Sequence, residues 1–208
     1  MELLLVRHAL PIRRELVDGP ADPELSADGR AQAEHLGSYL SSEHLDAIYA
    51  SPLRRAYETA ESVAKHHDLD VQLSDGVAEF DRLSPDYVPT EELKAANDPR
   101  YHAIINGEWG TDDESADEFR SRVISTIEEL IDTHTGQRIV VVCHGGVING
   151  YLSHVLGLSH PKGFFYPNYT SINRVAAARG GERTIVTVNE TSHLRGTRLP
   201  MGLFQGDR

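Results

Sequence analysis

Two short apolar runs in this chain each stop on a histidine. Leu3-Leu4-Leu5-Val6 ends abruptly at Arg7-His8, and Ile139-Val140-Val141-Val142 passes through Cys143 into His144-Gly145-Gly146. Runs of this length bounded by polar residues read as strands buried on both faces. Strands of that kind, alternating with stretches of helical period, constrain the chain to the α/β class, with a mostly parallel sheet and helices on both faces. In open sheets of this type ligands gather beyond the carboxyl ends of the strands. The same reasoning therefore puts His8 and His144 at one edge.

The segments between fill in the expected order. Ser26 caps a helix running to about residue 40, with Ala31, Ala33, Leu36 and Leu40 available for its inner face. Residues 46–50 and 71–73 read as further strands, and Ser51-Pro52 reads as the cap and first residue of a helix to about residue 66. Ser115 opens a helix carrying Phe119, Val123, Ile127 and Ile131 at helical spacing, and 147–156 reads as another. Residues 173–178 and 184–189 form an expected hairpin around Gly180-Gly181. Residues 80–113 differ: Pro85, Pro89, Pro99, Gly107, Trp109 and Gly110 interrupt them, with a short helical stretch near 90–96. Such a segment reads as an insertion capping the site. Tyr87 and Trp109 within it either line a substrate mouth or pin the loop. With no repeat or linker, 1–208 is expected to be a single domain: a three-layer sandwich with a small cap.

Composition narrows the partners. The 20 basic residues against 32 acidic ones leave a net charge of −12, which weighs against nucleic acid or an anionic membrane as a partner, because phosphate backbones are held by summed positive charge. One small anion needs only a few local cations. Cys143 is the single cysteine, so no intrachain disulfide or Cys-rich zinc module is available. The apolar start is too short for a signal core, and no run would span a bilayer. A cytoplasmic location is the expectation, and oligomeric state stays open.

The run Leu3 to His8 followed by Ala9 resembles the signature of the histidine phosphatase superfamily, the phosphoglycerate mutase-like proteins. Leu25-Ser26 with Gly29-Arg30-Ala31-Gln32-Ala33 is similar to the family's first helix. Ser51-Pro52-Leu53-Arg54-Arg55-Ala56 with Thr59-Ala60 resembles its second arginine motif, and Val140 to Gly146 its second histidine motif. Asn189 to Leu194 looks like its C-terminal segment.

The resemblance implies a phosphoric monoester hydrolase acting on a small phosphorylated substrate. His8 is then the nucleophile, since unprotonated imidazole can take up and release a phosphoryl group. Arg7 and Arg55 are the substrate-binding guanidinium groups, whose planar forks suit phosphate oxygens; the family's position before the alanine selects Arg55 over Arg54. His144 is implied as a phosphate ligand and transition-state stabiliser, with Gly145 offering backbone N–H near a helix N-terminus. Glu79 matches the family's general acid and base; Asp81 is the alternative, because in an extended segment both would face the same side.

No metal-ligand motif, Gly-rich nucleotide loop or dinucleotide fingerprint occurs, so catalysis without metal or cofactor is expected. Family members often follow the Arg-His pair with glycine and polar residues, whereas this chain has Ala9-Leu10-Pro11, which provide no side-chain donor or acceptor. That weighs against a phosphoglycerate mutase, although Arg13 and Arg14 lie near enough in sequence to serve a second anionic group. A regulator that binds phosphoryl ligands without turnover and an interaction scaffold are the rival classes.

Overall fold

The computed structural model describes residues 1–106, 108, 111, 113–158 and 163–203. Gly107, Trp109 and Gly110 lie outside these residues. In chain order the elements are β1 (Glu2–Arg7), β2 (Arg14–Glu15), α1 (Ala27–Leu40), β3 (Ala47–Ala50), α2 (Arg54–Ala64), β4 (Val71–Leu73) and β5 (Asp86–Tyr87). There follow α3 (Thr90–Ala95), α4 (Pro99–Asn106), α5 (Ala116–Thr133), β6 (Arg138–Cys143), α6 (Gly145–Val155), β7 (Ile172–Ala177) and β8 (Arg183–Glu190).

Six strands form the central sheet in the order β4-β3-β6-β1-β7-β8. The first four are mutually parallel, while β7 runs antiparallel to β1 and β8 antiparallel to β7. The alternation of a strand's side chains divides the core into two layers. Leu3, Leu5, Ile139 and Val141 pack with Phe119, Val123 and Ile127 of α5 and Val147 and Tyr151 of α6. Leu4, Val6, Val140 and Val142 pack on the other face with Leu36 and Leu40 of α1 and Ala56, Ala60 and Val63 of α2. Both faces of β1 and β6 are covered, which is why their sequences are unbroken apolar runs.

Helix ends follow from local chemistry. The Ser26 hydroxyl accepts from the Gly29 N–H at 3.0 Å, and Ser115 forms a reciprocal capping box with Glu118. Gly37 marks a close approach of α1 to α2: a Cβ there would lie 2.2 Å from the Ser62 carbonyl oxygen. Among the described residues no helix is long and apolar enough to cross a membrane.

Three local expectations are revised. Helix α2 begins at Arg54, not at Pro52, and its N-cap is Leu53, which makes no side-chain capping bond; the Ser51 hydroxyl is turned to another partner, described below. Helix α6 begins at Gly145 rather than Val147, with His144 as its N-cap. A helix, α4, occupies part of the 80–113 segment where irregular chain was expected. Asn97, in the left-handed region at φ 50°, separates it from α3, and Pro99 stands at its first position.

Candidate active site

The sheet itself brings the histidines together. β1 and β6 are in parallel register with Arg7 opposite Cys143, and the His8 N–H donates to the Cys143 carbonyl at 2.9 Å. On the far side of β6 the Ser51 N–H donates to the Val142 carbonyl at 3.0 Å. Three adjacent strands thus deliver Ser51, His144 and His8 at their carboxyl ends. The rings of His8 and His144 lie 5.1 Å apart, centroid to centroid.

His8 is almost fully buried, and its Nδ1 sits 2.7 Å from the carbonyl oxygen of Ala9. A carbonyl only accepts, so Nδ1 carries the proton and Nε2 keeps its lone pair. Burial, and then the positive charges of Arg55 and Arg7, hold the imidazole well below its usual value. The ring is neutral at physiological pH and nucleophilic at Nε2.

His144 is held differently. It is fully buried and does not line the open cavity, lying behind His8. Its Nε2 is 2.8 Å from the Ser51 hydroxyl, and its buried Nδ1 has no hydrogen-bond partner among the described residues. Burial followed by the charge of Arg55 also holds this imidazole well below the usual range.

Both arginines are nearly inaccessible, with 5% of Arg7 and 2% of Arg55 exposed. Arg7 Nη1 donates to the Pro167 carbonyl at 2.7 Å, and its guanidinium lies over the rings of Tyr169 and Tyr166, 4.2 and 4.8 Å from their centroids. Arg55 lies 4.6 Å over Tyr87 and 3.6 Å from the Asp81 carboxylate. Among the described residues no carboxylate comes within ion-pair distance of Arg7, and the Nε of each arginine is buried without an acceptor. Buried charge is costly unless matched, and here only Arg55 has a carboxylate at ion-pair distance, the partly exposed Asp81. The hollow between the two guanidinium groups is built for an anion.

Glu79 Oε2 accepts from the Gly146 N–H at 2.9 Å, at the first turn of α6. Burial, with the neighbouring Asp81 charge adding to it, pushes the Glu79 carboxyl up to about 7, against the pull of Gly146 N–H and Arg55. Asp81 is also pushed up by burial, opposed by Arg55; nearly a third of its side chain stays open. Of the two acids, Glu79 is the more enclosed and is anchored by backbone.

Arg7, His8, Arg55, Glu79, Asp81 and Gly145 line a single cavity of about 380 Å³. Its outer wall comes from Tyr87, Tyr101 and Ile105 in the 80–113 segment and from Phe165 and Tyr166. Tyr87 thus lines the mouth. Arg13 and Arg14 do not reach it: Arg13 pairs with Glu15 and Glu92, and Arg14 with Glu24 at 2.6 Å. Among the described residues no three His, Cys, Asp or Glu side chains cluster as a metal ion would require.

Several participants escaped the sequence reading. Ser51 bonds a site histidine instead of capping α2. Tyr166, Pro167 and Tyr169 contact Arg7 across some 160 positions, a separation that no local pattern reports. Asn149 ties their loop to α6, donating to the Gly145 and Phe165 carbonyls at 3.0 and 3.1 Å and accepting from the Phe164 N–H. Thr59 had a signal, because it lies in the Arg55 motif; its hydroxyl oxygen accepts from the Ala9 N–H at 3.0 Å and anchors the loop after His8.

Comparison with known proteins agrees with this geometry. Residues 3–191 match the histidine phosphatase superfamily (branch 1). Phosphoserine phosphatase 1 of Hydrogenobacter thermophilus is 30% identical over 201 residues, covering 93% of this chain and 94% of that protein. Phosphoglycerate mutase-like protein 4 of Arabidopsis thaliana is 29% identical, covering 100% of this chain and 93% of its own. Among solved structures, a phosphoserine phosphatase mutant from Entamoeba histolytica in complex with phosphoserine superposes with a TM-score of 0.73 at 25% identity, covering 93% of this chain and 98% of that one. The paired strand-end histidines, the two buried guanidinium groups and a match across nearly the whole length lead to one assignment: the chain belongs to the histidine phosphatase superfamily, branch 1.

Proposed function

We propose that the protein is a phosphoric monoester hydrolase working through a phosphohistidine on His8. The observation that carries this reading is the pair of buried, under-neutralised guanidinium groups beside a neutral imidazole whose Nε2 is unprotonated. A phosphate monoester supplies the missing negative charge and places its phosphorus before that nitrogen. The names of the relatives, phosphoserine phosphatase and phosphoglycerate mutase-like protein, agree on the handling of small phosphate esters.

In the first half-reaction His8 Nε2 attacks phosphorus in line. The P–N bond forms as the ester P–O bond breaks, and protonated Glu79 gives its proton to the departing alkoxide. Arg7 and Arg55 hold the three equatorial oxygens, helped by the Gly145 N–H at the positive end of α6. His144, neutral and with its ring 5.1 Å from that of His8, adds the dipole of its imidazole to the same field rather than a charge. In the second half-reaction Glu79, now ionised, takes a proton from water. The hydroxide oxygen bonds to phosphorus, the P–N bond breaks, and inorganic phosphate leaves with His8 restored. The described residues of the 80–106 stretch, with Tyr87, Tyr101 and Ile105 on the cavity, form the cap over this chemistry, carried by the same domain as the sheet.

A mutase must hold a second anionic group while the phosphoryl group returns. The ion pairing of Arg13 and Arg14 away from the cavity favours hydrolysis. The test is turnover of p-nitrophenyl phosphate with acid quenching. Wild type should release phosphate and show acid-labile phosphate on the protein, and His8→Ala should show neither. Turnover retained by His8→Ala would overturn the reading, and tight phosphate binding without turnover by the wild type would favour a regulator.

A further inference from the structure

The phosphoryl end of the cavity and its outer end differ in chemistry. Among the described residues, Arg7 and Arg55 are the only lysine or arginine side chains lining it, and both are engaged at the inner end. Their guanidinium groups are packed against aromatic rings, Tyr166 and Tyr169 on Arg7 and Tyr87 on Arg55, and Tyr166 and Tyr87 also line the cavity. The outer wall is largely apolar: Tyr101, Ile104 and Ile105 of α4 line the cavity together with Phe80, Phe165 and Leu203. Positions 101, 104 and 105 share one face of a helix, and α4 has no fully buried residue. Ile105 keeps 41% of its surface exposed, in a wall where an apolar ligand group would cover it.

The acids reinforce the asymmetry. Glu79 and Asp81 also line the cavity, and Glu91 accepts from the Tyr169 hydroxyl at 3.2 Å. A phosphate dianion satisfies the two guanidinium groups. Among the described residues, a further carboxylate or phosphate on the same substrate would meet no lysine or arginine side chain beyond Arg7 and Arg55, and the lining it would meet is hydrocarbon, neutral hydroxyl and amide groups, and the carboxylates of Glu79 and Asp81. Desolvating an unmatched charge against like charge is a strong means of rejection.

From this arrangement, and resting on the hydrolase reading above, we propose that the substrate class is a phosphomonoester whose alcohol is uncharged and bulky, aromatic or branched aliphatic. Phosphorylated hydroxy acids and bisphosphates are excluded by the mouth. Specificity resides in the face of α4, with Ile105 as a determinant.

The experiment compares two alkyl esters, so that leaving-group basicity does not decide the result: 2-phenylethyl phosphate and 3-phosphoglycerate, with p-nitrophenyl phosphate as a check of turnover. The expected result is a kcat/KM at least about 30-fold higher for 2-phenylethyl phosphate, carried mainly in KM. Ile105→Arg, checked for folding by circular dichroism, should shrink that ratio by about tenfold or more by lowering KM for 3-phosphoglycerate. Equal or preferred turnover of 3-phosphoglycerate by the wild type overturns the substrate class and leaves the hydrolase intact. So does hydrolysis of p-nitrophenyl phosphate with neither alkyl ester turned over. Failure to hydrolyse all three overturns both readings. A folded Ile105→Arg with an unchanged ratio removes Ile105 and the α4 face as the determinant.

Discussion

Glu79 receives the Gly146 N–H at 2.9 Å, so the proposed proton donor is tied to the same helix start that faces the phosphoryl site. Its carboxyl, held at about 7 by burial and by Asp81, is largely protonated below that pH and ionised above it. For a substrate with a poor leaving group, kcat/KM should therefore fall as pH rises through about 7, since kcat/KM reports the free enzyme. His8 is held well below the usual imidazole value, so the acid limb should lie below the ordinary histidine range. Glu79→Gln should remove the limb near 7 and slow alkyl phosphates by roughly 10²–10⁴-fold, with a much smaller effect on p-nitrophenyl phosphate. Equal slowing of both would move the acid role elsewhere.

Asp81 contributes part of the rise in Glu79. Asp81→Asn removes that negative charge, stabilises the Glu79 carboxylate and should shift the alkaline limb to lower pH by about half a unit to one unit. It also releases Arg55 from its 3.6 Å partner, so inorganic phosphate should inhibit more strongly. A limb that stays in place, read from a pH–rate profile, would show that the two acids titrate independently.

Gly146 leaves no room for a side chain beside this donor. A Cβ there would come 2.3 Å from Glu79 Oε1, the movable end of a side chain rather than backbone. Gly146→Ala should fold, displace the carboxyl and reproduce much of the Glu79→Gln defect on alkyl esters, while hydrolysis of p-nitrophenyl phosphate changes little. Loss of both activities in a folded variant would point to damage at α6 instead.

Among the described residues Ser51 Oγ is the one side-chain partner of His144 Nε2, at 2.8 Å, and also accepts weakly from the Leu53 N–H. Ser51→Ala leaves that buried nitrogen unsatisfied, which should cost about 1–3 kcal/mol of stability, measured by urea unfolding. It should also lower kcat by roughly tenfold by freeing the ring. Ser51→Thr, which keeps the hydroxyl, should recover part of kcat if the contact positions His144.

The sheet was legible because burial on both faces writes itself as uninterrupted Leu and Val runs, and those runs placed Arg7, His8 and His144 correctly. Ser26 and Ser115 were legible for a different reason: a capping hydroxyl satisfies a neighbour three residues on, within sight of a local pattern. Ser51 has the same composition cue but spends its hydroxyl on a residue 93 positions away, so the cue misled. The tyrosines over Arg7 and Arg55 were out of reach for a related reason. Tyr166 and Tyr169 in the loop before β7 and Tyr87 in the two-residue β5 carry no period, and their contacts are made only when these segments close over the strand ends. Glu79 and Asp81 could not be separated by spacing; burial and the Gly146 N–H distinguish them.

The parallel register of β1 with β6 has a consequence for how such a centre tolerates change. Neighbouring strands repeat at about 4.8 Å, and each residue along a strand advances about 3.3 Å. The separation of the imidazoles is thus inherited from the backbone ladder, not negotiated by side chains. Lengthening the loops that shape the mouth leaves that ruler untouched. Slipping either strand by one position would turn its imidazole to the opposite side of the sheet, so the chemistry and the choice of substrate are free to diverge separately.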